Sequence, residues 1–327
     1  MDPANGPLKD AAPLSLVMDV DTGIDDALAL ALALRSPGVE VVAISTVAGN
    51  IGAAQAATNT LKVLDALGAT VPVAIGLTGP LLRAFRAAPA VHGEDGMGDA
   101  RLPEPKGVPT GEHGVDQIIR LAREHPGELT LFTSGPLSNV AAALMKEPEL
   151  PRLYKRLVMM GGAVGVPGNV SPVAEANIFN DPEAAGRVLE AGWASLTMVG
   201  LDVTMATRLT GADLERLRTS AVPAARLVAA IAPFYVRRYE GLLGPGMGCA
   251  LHDPLALGIA LDPSLVTTMA HLDIQIEIVS PLTLGMTVAD RRPLLGPGYA
   301  PPRRPILTPL AVDAPRFVDR FLAALLS

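Results

Sequence analysis

Residues 19–26 read Asp-Val-Asp-Thr-Gly-Ile-Asp-Asp, so four carboxylates fall within eight residues. The apolar run Leu14-Ser15-Leu16-Val17-Met18 precedes them, and Ala27-Leu28-Ala29-Leu30 follows. The first run reads as a buried strand and the second as the start of a helix. Four acids crowded at a strand end repel one another unless something positive stands among them. A hard divalent cation with oxygen ligands answers that need. The plainer reading is that Asp25 and Asp26 favour a first helical turn, where negative charge suits the macrodipole. That accounts for two acids and leaves Asp19 and Asp21, which alternate onto one face of the strand end.

Other polar residues cluster in short segments among apolar ones. His92-Gly93-Glu94-Asp95-Gly96 is a polar loop, and Ser134-Gly135-Pro136-Leu137-Ser138-Asn139 joins a strand to a helix. Residues 161–180 are glycine-rich and carry Asn169, Glu175, Asn177 and Asn180, and His252-Asp253-Pro254 opens a helix. Each has an ordinary explanation. Asn169 suits a turn, Glu175 and Asn177 suit a solvated loop, and Ser138 and Asn139 suit helix caps. Asp253 reads as an N-cap, since proline fits the first helical turn. His252 alone reads as structural. Taken singly, only the aspartate cluster points to chemistry.

The elements that must hold these residues alternate. Strand-like runs at Val39–Val47, Val71–Ile75, Leu129–Thr133, Leu157–Met160 and Leu196–Val199 are separated by helical stretches at Gly52–Leu67, Val115–Glu124, Leu137–Lys146 and Glu183–Ala191. This pattern predicts an α/β fold, a mostly parallel sheet covered by helices on both faces. Ligands of such sheets bind at the carboxyl ends of strands, where Asp19, Asp21, Ser134 and Gly161-Gly162 fall. The second half differs. Residues 211–261 read as a helical cap broken at Gly244-Pro245-Gly246, residues 265–308 as irregular strands and a hairpin, and Asp313–Leu326 as a closing helix. Residues 1–12 are expected to form a flexible tail, and residues 13–327 a single domain.

Composition narrows the function. The 327 residues carry a net charge of −7 and are 49% hydrophobic. With no Lys/Arg stripe, nucleic-acid binding has no support. One cysteine, Cys249, excludes an internal disulfide and a cysteine-based zinc site. The first residues show no basic segment followed by an apolar one, and Val222 to Val236 is too short to span a bilayer. A cytoplasmic protein without a membrane partner is expected.

Together the polar segments carry a resemblance. Asp-x-Asp-x-Gly-x-Asp-Asp-Ala at 19–27 resembles the N-terminal signature of the nucleoside hydrolases, enzymes that cut the N-glycosidic bond of ribonucleosides. Val47-Ala48-Gly49-Asn50, Gly135-Pro136-Leu137-Ser138-Asn139, Met160-Gly161-Gly162 with Asn169 and Ala174-Glu175-Ala176-Asn177, and His252-Asp253-Pro254 are similar to later blocks of that family, in the same order. The resemblance implies a Rossmann-like nucleoside hydrolase fold and a Ca²⁺ ion held by the side chains of Asp21, Asp26 and Asp253 and by the Ser134 carbonyl. It implies Asp21 as general base toward a calcium-bound water, and Asp25, Asn50, Asn169, Glu175 and Asn177 on the ribose hydroxyls. Asp19 would support the cluster. The substrate is then a small-molecule ribonucleoside, inosine or uridine, and the enzyme a homodimer or homotetramer.

Elementary chemistry runs the same way. Ribose offers only hydroxyls, so its site should be rich in carboxylates and amides. Breaking the glycosidic bond builds positive charge on the sugar, which nearby carboxylates stabilise. A cation orients water and lowers its pKa, and Asp21 takes the proton. His252 is placed to protonate or polarise the leaving base, with His92 lining the same pocket. Phe234, Tyr235 and Tyr239 stand close in a chain only 3% aromatic and offer a stacking surface. Thr22, Ser138 and Ala176 depart from residues common in the family, and Ala176 weakens inference about the base.

Two other functions compete. Asp19-Val20-Asp21-Thr22 after a strand suggests a Mg²⁺-dependent haloacid-dehalogenase phosphatase, but that family wants Thr or Val where Gly23 stands, and a strand-end lysine. Lys146 and Lys155 lie in polar, surface-like surroundings instead. The other is a non-catalytic nucleoside or ribose binder on the same scaffold, which product analysis separates from an enzyme.

Overall fold

Leu16 and Met18 of strand β1 (Leu14–Val20) sit in one apolar cluster and Val17 in another, so one strand feeds two cores. Such a strand belongs inside a sheet covered on both faces. The computed structural model describes residues 14–296 and 298–327, and the tail expected over residues 1–12 lies outside the described residues. After β1 come α1 (Ile24–Arg35), β2 (Val39–Thr46), α2 (Ala53–Leu67), β3 (Val73–Ile75), α3 (Pro89–His92), α4 (Gly114–Glu124) and β4 (Thr130–Thr133). Then follow α5 (Ser138–Lys146), α6 (Leu150–Leu153), β5 (Arg156–Met160), α7 (Ala176–Asn180), α8 (Pro182–Leu189), β6 (Leu196–Val199) and α9 (Leu201–Thr204). The remainder holds β7 (Arg208–Leu209), α10 (Gly211–Arg218), α11 (Pro223–Leu243), β8 (Cys249–Ala250), α12 (His252–Leu261), β9 (Val266–Leu272), β10 (Ile274–Ile276), β11 (Thr287–Ala289), β12 (Ile306–Val312) and α13 (Ala314–Leu326).

The main sheet has eight strands in the order β3-β2-β1-β4-β5-β6-β12-β9. Every neighbouring pair is parallel except β12 with β9. The α/β fold expected from the sequence is therefore the fold observed. The chain leaves β1 toward β2 and β3, then returns to place β4 on the other side of β1. Adjacent connections thus diverge between β1 and β4, the switch point at whose carboxyl ends ligands of such sheets bind.

Helix α1 is buried from Ile24 to Ala33, because the sheet covers one side and α2, α11, α12 and α13 pack on it. Its Ala-Leu alternation suits burial all round rather than an amphipathic surface. The helical cap is present as α10 and α11, with α11 packed on α1, α2 and α3. Among the described residues, no helix is long and apolar enough to cross a membrane.

The stretch 265–308 is more regular than expected. β9 and β12 extend the main sheet, while β10 and β11 form the hairpin. Pro309 lies inside β12, and the register shifts just after it. Proline lacks the N–H a strand donates, so a bulge beside it accommodates the missing bond.

Candidate active site

The start of α1 builds the first wall. Asp26 Oδ2 accepts from the Gly23 amide at 3.0 Å, and its Oδ1 lies 3.3 Å from the Asp21 amide. The plain reading of Asp26 as a first-turn acid therefore holds alongside any other role. Asp21 Oδ2 accepts from the Asn50 amide at 2.6 Å, and Asn50 Nδ2 donates to Asp26 Oδ2 at 3.2 Å. The Val47–Asn50 turn thus clamps both acids. A Cβ at Gly49 would overlap Asp21 Oδ2, and one at Gly23 would overlap His92 Nδ1, so glycine is required at both by close approach.

Asp19 faces the neighbouring strands. Its Oδ1 accepts from Ser45 Oγ at 2.6 Å and from Asn139 Nδ2 at 2.8 Å. Asn139 Oδ1 in turn accepts from the Leu77 amide, and Ser138 Oγ donates to Asp181 Oδ2. Neither Ser138 nor Asn139 caps α5, whose N-cap is Leu137. Both reach across the strand ends instead, because the loop before α5 turns their side chains inward. Asp253 likewise is not an N-cap. Helix α12 starts at His252 with Leu251 as its cap, and Asp253 lies buried inside the first turn.

Asp25, Asp26 and Asp253 each bring a carboxylate oxygen to within 4.8 Å of the others. Asp21 stands beside this trio rather than in it. Its Oδ1 and that of Asp25 are buried with no hydrogen-bond partner. Burial drives Asp21 and Asp253 well above the usual carboxylate range, with nearby acids pushing the same way. Burial also lifts Asp26, and raises Asp25 to about 6 and Asp19 to about 7. Buried like charges that raise one another's pKa are a site shaped for a cation. The donors are all oxygen, which fits a hard divalent ion rather than zinc. Ser134 contributes at the β4 end. Its hydroxyl donates to Asp26 Oδ1 at 2.6 Å, while its carbonyl accepts from Asn177 Nδ2 at 2.6 Å and keeps a second lone pair.

The residues expected on ribose gather around this cluster, with one at its margin. Glu175 is buried rather than solvated. It caps α7, and its two oxygens accept from the amides of Gly162, Asn177 and Ile178. Even so, desolvation pushes it up to about 7. Asn177 is buried, with its amide nitrogen donating to the Ser134 and Met160 carbonyls. Asn169 is exposed, and its Oδ1 accepts from the Ala176 amide at 2.9 Å, closing the 169–176 loop. Its turn role is real, and it stands at the rim.

The facing wall is aromatic. Residues 235 and 239 lie one helical turn apart on α11 and share a face. Tyr235 donates to Asp25 Oδ2 at 3.2 Å and stacks on His92 with ring centroids 5.4 Å apart. Tyr239 meets Tyr235 edge-on at 4.9 Å. Phe234 points elsewhere, half-buried under Arg237, and joins none of these contacts. Helical spacing separates it from its neighbour Tyr235, so closeness in sequence misleads there. His92 Nδ1 accepts from the Ile24 amide at 3.1 Å, which leaves Nε2 to carry the proton of a neutral ring. Desolvation holds His92 at about 4.

His252, expected to protonate or polarise the leaving base, is held from two sides. Its Nδ1 meets Thr204 Oγ1 at 2.7 Å and its Nε2 meets the Tyr239 hydroxyl, so both nitrogens are engaged inside the protein. Burial lowers its pKa to about 3. A neutral imidazole engaged at both nitrogens is placed to polarise the Tyr239 hydroxyl. Thr204, absent from the sequence reading, completes the line Thr204–His252–Tyr239. It lies one short helix beyond the carboxyl end of β6, so strand-end position was a usable signal. Asp202 in the same turn accepts from the amides of Val164 and Gly165 and anchors the glycine-rich loop.

An α/β sheet whose switch point carries buried acids, amide side chains and an aromatic wall defines a site for a polyhydroxylated, aromatic-bearing molecule. The sequence profile of the inosine-uridine preferring nucleoside hydrolases matches residues 16–319. The pyrimidine-specific ribonucleoside hydrolase RihA of Shewanella sp. (strain ANA-3) is 38% identical over 95% of each chain. The inosine-uridine preferring nucleoside hydrolase of Leishmania major is 41% identical over 86% of this chain and 88% of its own. The solved structure of a plant nucleoside hydrolase, PpNRh1, superposes with a TM-score of 0.90 at 32% identity, covering 96% of this chain and 99% of that one. The chain belongs to the inosine-uridine preferring nucleoside hydrolase family. It is an enzyme, a ribonucleoside hydrolase of the N-glycosidase class.

Proposed function

We propose that this protein hydrolyses ribonucleosides to free base and ribose in a Ca²⁺-dependent reaction, with inosine and uridine among its substrates. The observation that carries the reading is the pair of unpartnered buried oxygens, Asp21 Oδ1 and Asp25 Oδ1, beside Asp26 and Asp253. Asp21, Asp26 and Asp253, with the Ser134 carbonyl, would hold the ion. When bound, Ca²⁺ supplies charge that lowers the pKa of a water and fixes its direction. Asp21 takes the proton from the attacking water through its open Oδ1. Asp25, Asn50, Glu175 and Asn177 hold the ribose hydroxyls, with Asn169 at the rim, and the carboxylates among them stabilise positive charge growing on the sugar. Asp19, held by Ser45 and Asn139, fixes the strand end beneath. Tyr235 fixes Asp25, and His92 presents Nε2–H to the same pocket. Thr204 donates to His252 Nδ1, His252 donates to Tyr239, and the Tyr239 hydroxyl is left free to donate to the departing base. Chromatography of products decides the reaction itself: base and ribose in equal amounts are expected, and intact nucleoside after long incubation sinks the proposal. We also read residues 13–327 as one domain.

Calorimetry with Ca²⁺ on the chelated protein checks the ion. Asp26→Ala should weaken binding at least about tenfold, because it removes one charged ligand. Unchanged affinity in the variant removes Asp26 from the set.

A pH dependence follows from the raised carboxylates. Asp25 at about 6, and Asp19 and Glu175 at about 7, hold protons in the chelated folded state that the unfolded chain releases near its ordinary values. The unfolded state then binds fewer protons, so stability without metal falls as pH rises from about 4 to about 7. Ca²⁺ offsets the repulsion. Its gain in Tm should therefore be larger at about pH 8 than at about pH 5. A gain independent of pH contradicts the link.

A further inference from the structure

Arg208 stands at the end of the aromatic wall. In the two-stranded ribbon of β7 and β8 it pairs with Ala250, two residues before His252. Its guanidinium carbon lies 5.8 Å from the centroid of the Tyr239 ring, whose hydroxyl meets His252. Its Nη1 is buried and has no hydrogen-bond partner. Arg156, also half-buried, behaves differently: it donates to Thr130 Oγ1 and to the Ala260 carbonyl. A buried donor without an acceptor costs free energy that folding alone does not recover. Arg208 is the last member of a line of contacts that runs from Asp25 through Tyr235 and Tyr239.

Resting on the functional reading above, we infer that Arg208 is a base-recognition residue that donates to an exocyclic carbonyl oxygen of the nucleobase. Hypoxanthine, guanine, uracil and cytosine carry such an oxygen, and adenine does not. When the bond from the sugar to the base nitrogen breaks, its electron pair goes to the base and spreads onto that oxygen. A guanidinium beside it stabilises this charge more in the transition state than in the bound nucleoside. Arginine suits the task because its donors are planar and its charge is permanent.

Inosine and adenosine test this, since their bases differ in whether position 6 is a carbonyl or an amine. The values of kcat/KM on both should be measured for wild type, Arg208→Leu and Arg208→Lys, with circular dichroism melts to follow folding. Wild type should favour inosine. Arg208→Leu should lower the inosine-to-adenosine ratio about 10- to 100-fold. Arg208→Lys, which keeps the charge with one nitrogen, should fall between. Should the leucine variant fail to fold, the lysine variant decides by the same ratio. Equal losses on both nucleosides, an unchanged ratio, or a wild type that prefers adenosine overturns the inference. If wild type releases base from no ribonucleoside at all, the functional reading fails, and the inference fails with it.

Discussion

Asp21→Asn is expected to fold normally and to lose about 10²- to 10⁴-fold in kcat, the range a positioned general base contributes. The side chain is fully buried, and one of its oxygens is fixed by the Asn50 amide. The amide variant can keep that bond with its own oxygen, so its NH₂ would occupy the place of the open Oδ1. An NH₂ there cannot take a proton from water. It also lowers the negative charge beside Asp26, so metal content must be measured with the rate. A metal-loaded variant turning over near the wild-type rate would exclude Asp21 as the base.

Removing the substrate's 2′-hydroxyl should cost on the order of 10⁴-fold in kcat/KM, as sites built to bind a hydroxyl reject analogues lacking it. Asp25 Oδ1 is buried and unpartnered, and the Asn177 amide nitrogen is already committed to Ser134 and Met160. The Asn177 side-chain oxygen and Asp25 Oδ1 are what remain for the sugar. With 2′-deoxyinosine, a buried carboxylate oxygen would stay without a donor, and that penalty falls on the transition state. Steady-state rates on inosine and 2′-deoxyinosine suffice. Comparable rates would remove Asp25 from the 2′ position.

Much of this was legible along the chain because local patterns carried it. The β-α alternation gives the parallel sheet, and the acids at 19–26 stand at a strand end whatever packs around them. Burial was harder to read. Glu175 looks like a loop residue until α7 folds over it, and Asp253 looks like a cap until α12 inserts its first turn beside α1. The hydrogen bonds closing both nitrogens of His252 join residues far apart in sequence, so no window of sequence contains them. Phe234 failed for the opposite reason. Its nearness to Tyr235 in sequence hides an angular separation of about 100° that helix geometry imposes. Arg208 escaped notice because a single arginine in a two-residue strand carries no periodic signal.

The acid cluster joins the first helix to the first turn of α12, so its two halves lie far apart along the chain. During synthesis the aspartates at 19–26 emerge early and stay hydrated for as long as α12 is missing. Their mutual repulsion is weak in water and grows only when the late helices exclude it. Closing the site is therefore a long-range step that local helix formation cannot speed. An ion arriving before that closure would relieve the repulsion just as it begins to rise. If the cluster holds an ion as proposed, assembly of the last third of the chain should depend on the divalent ions present while it folds.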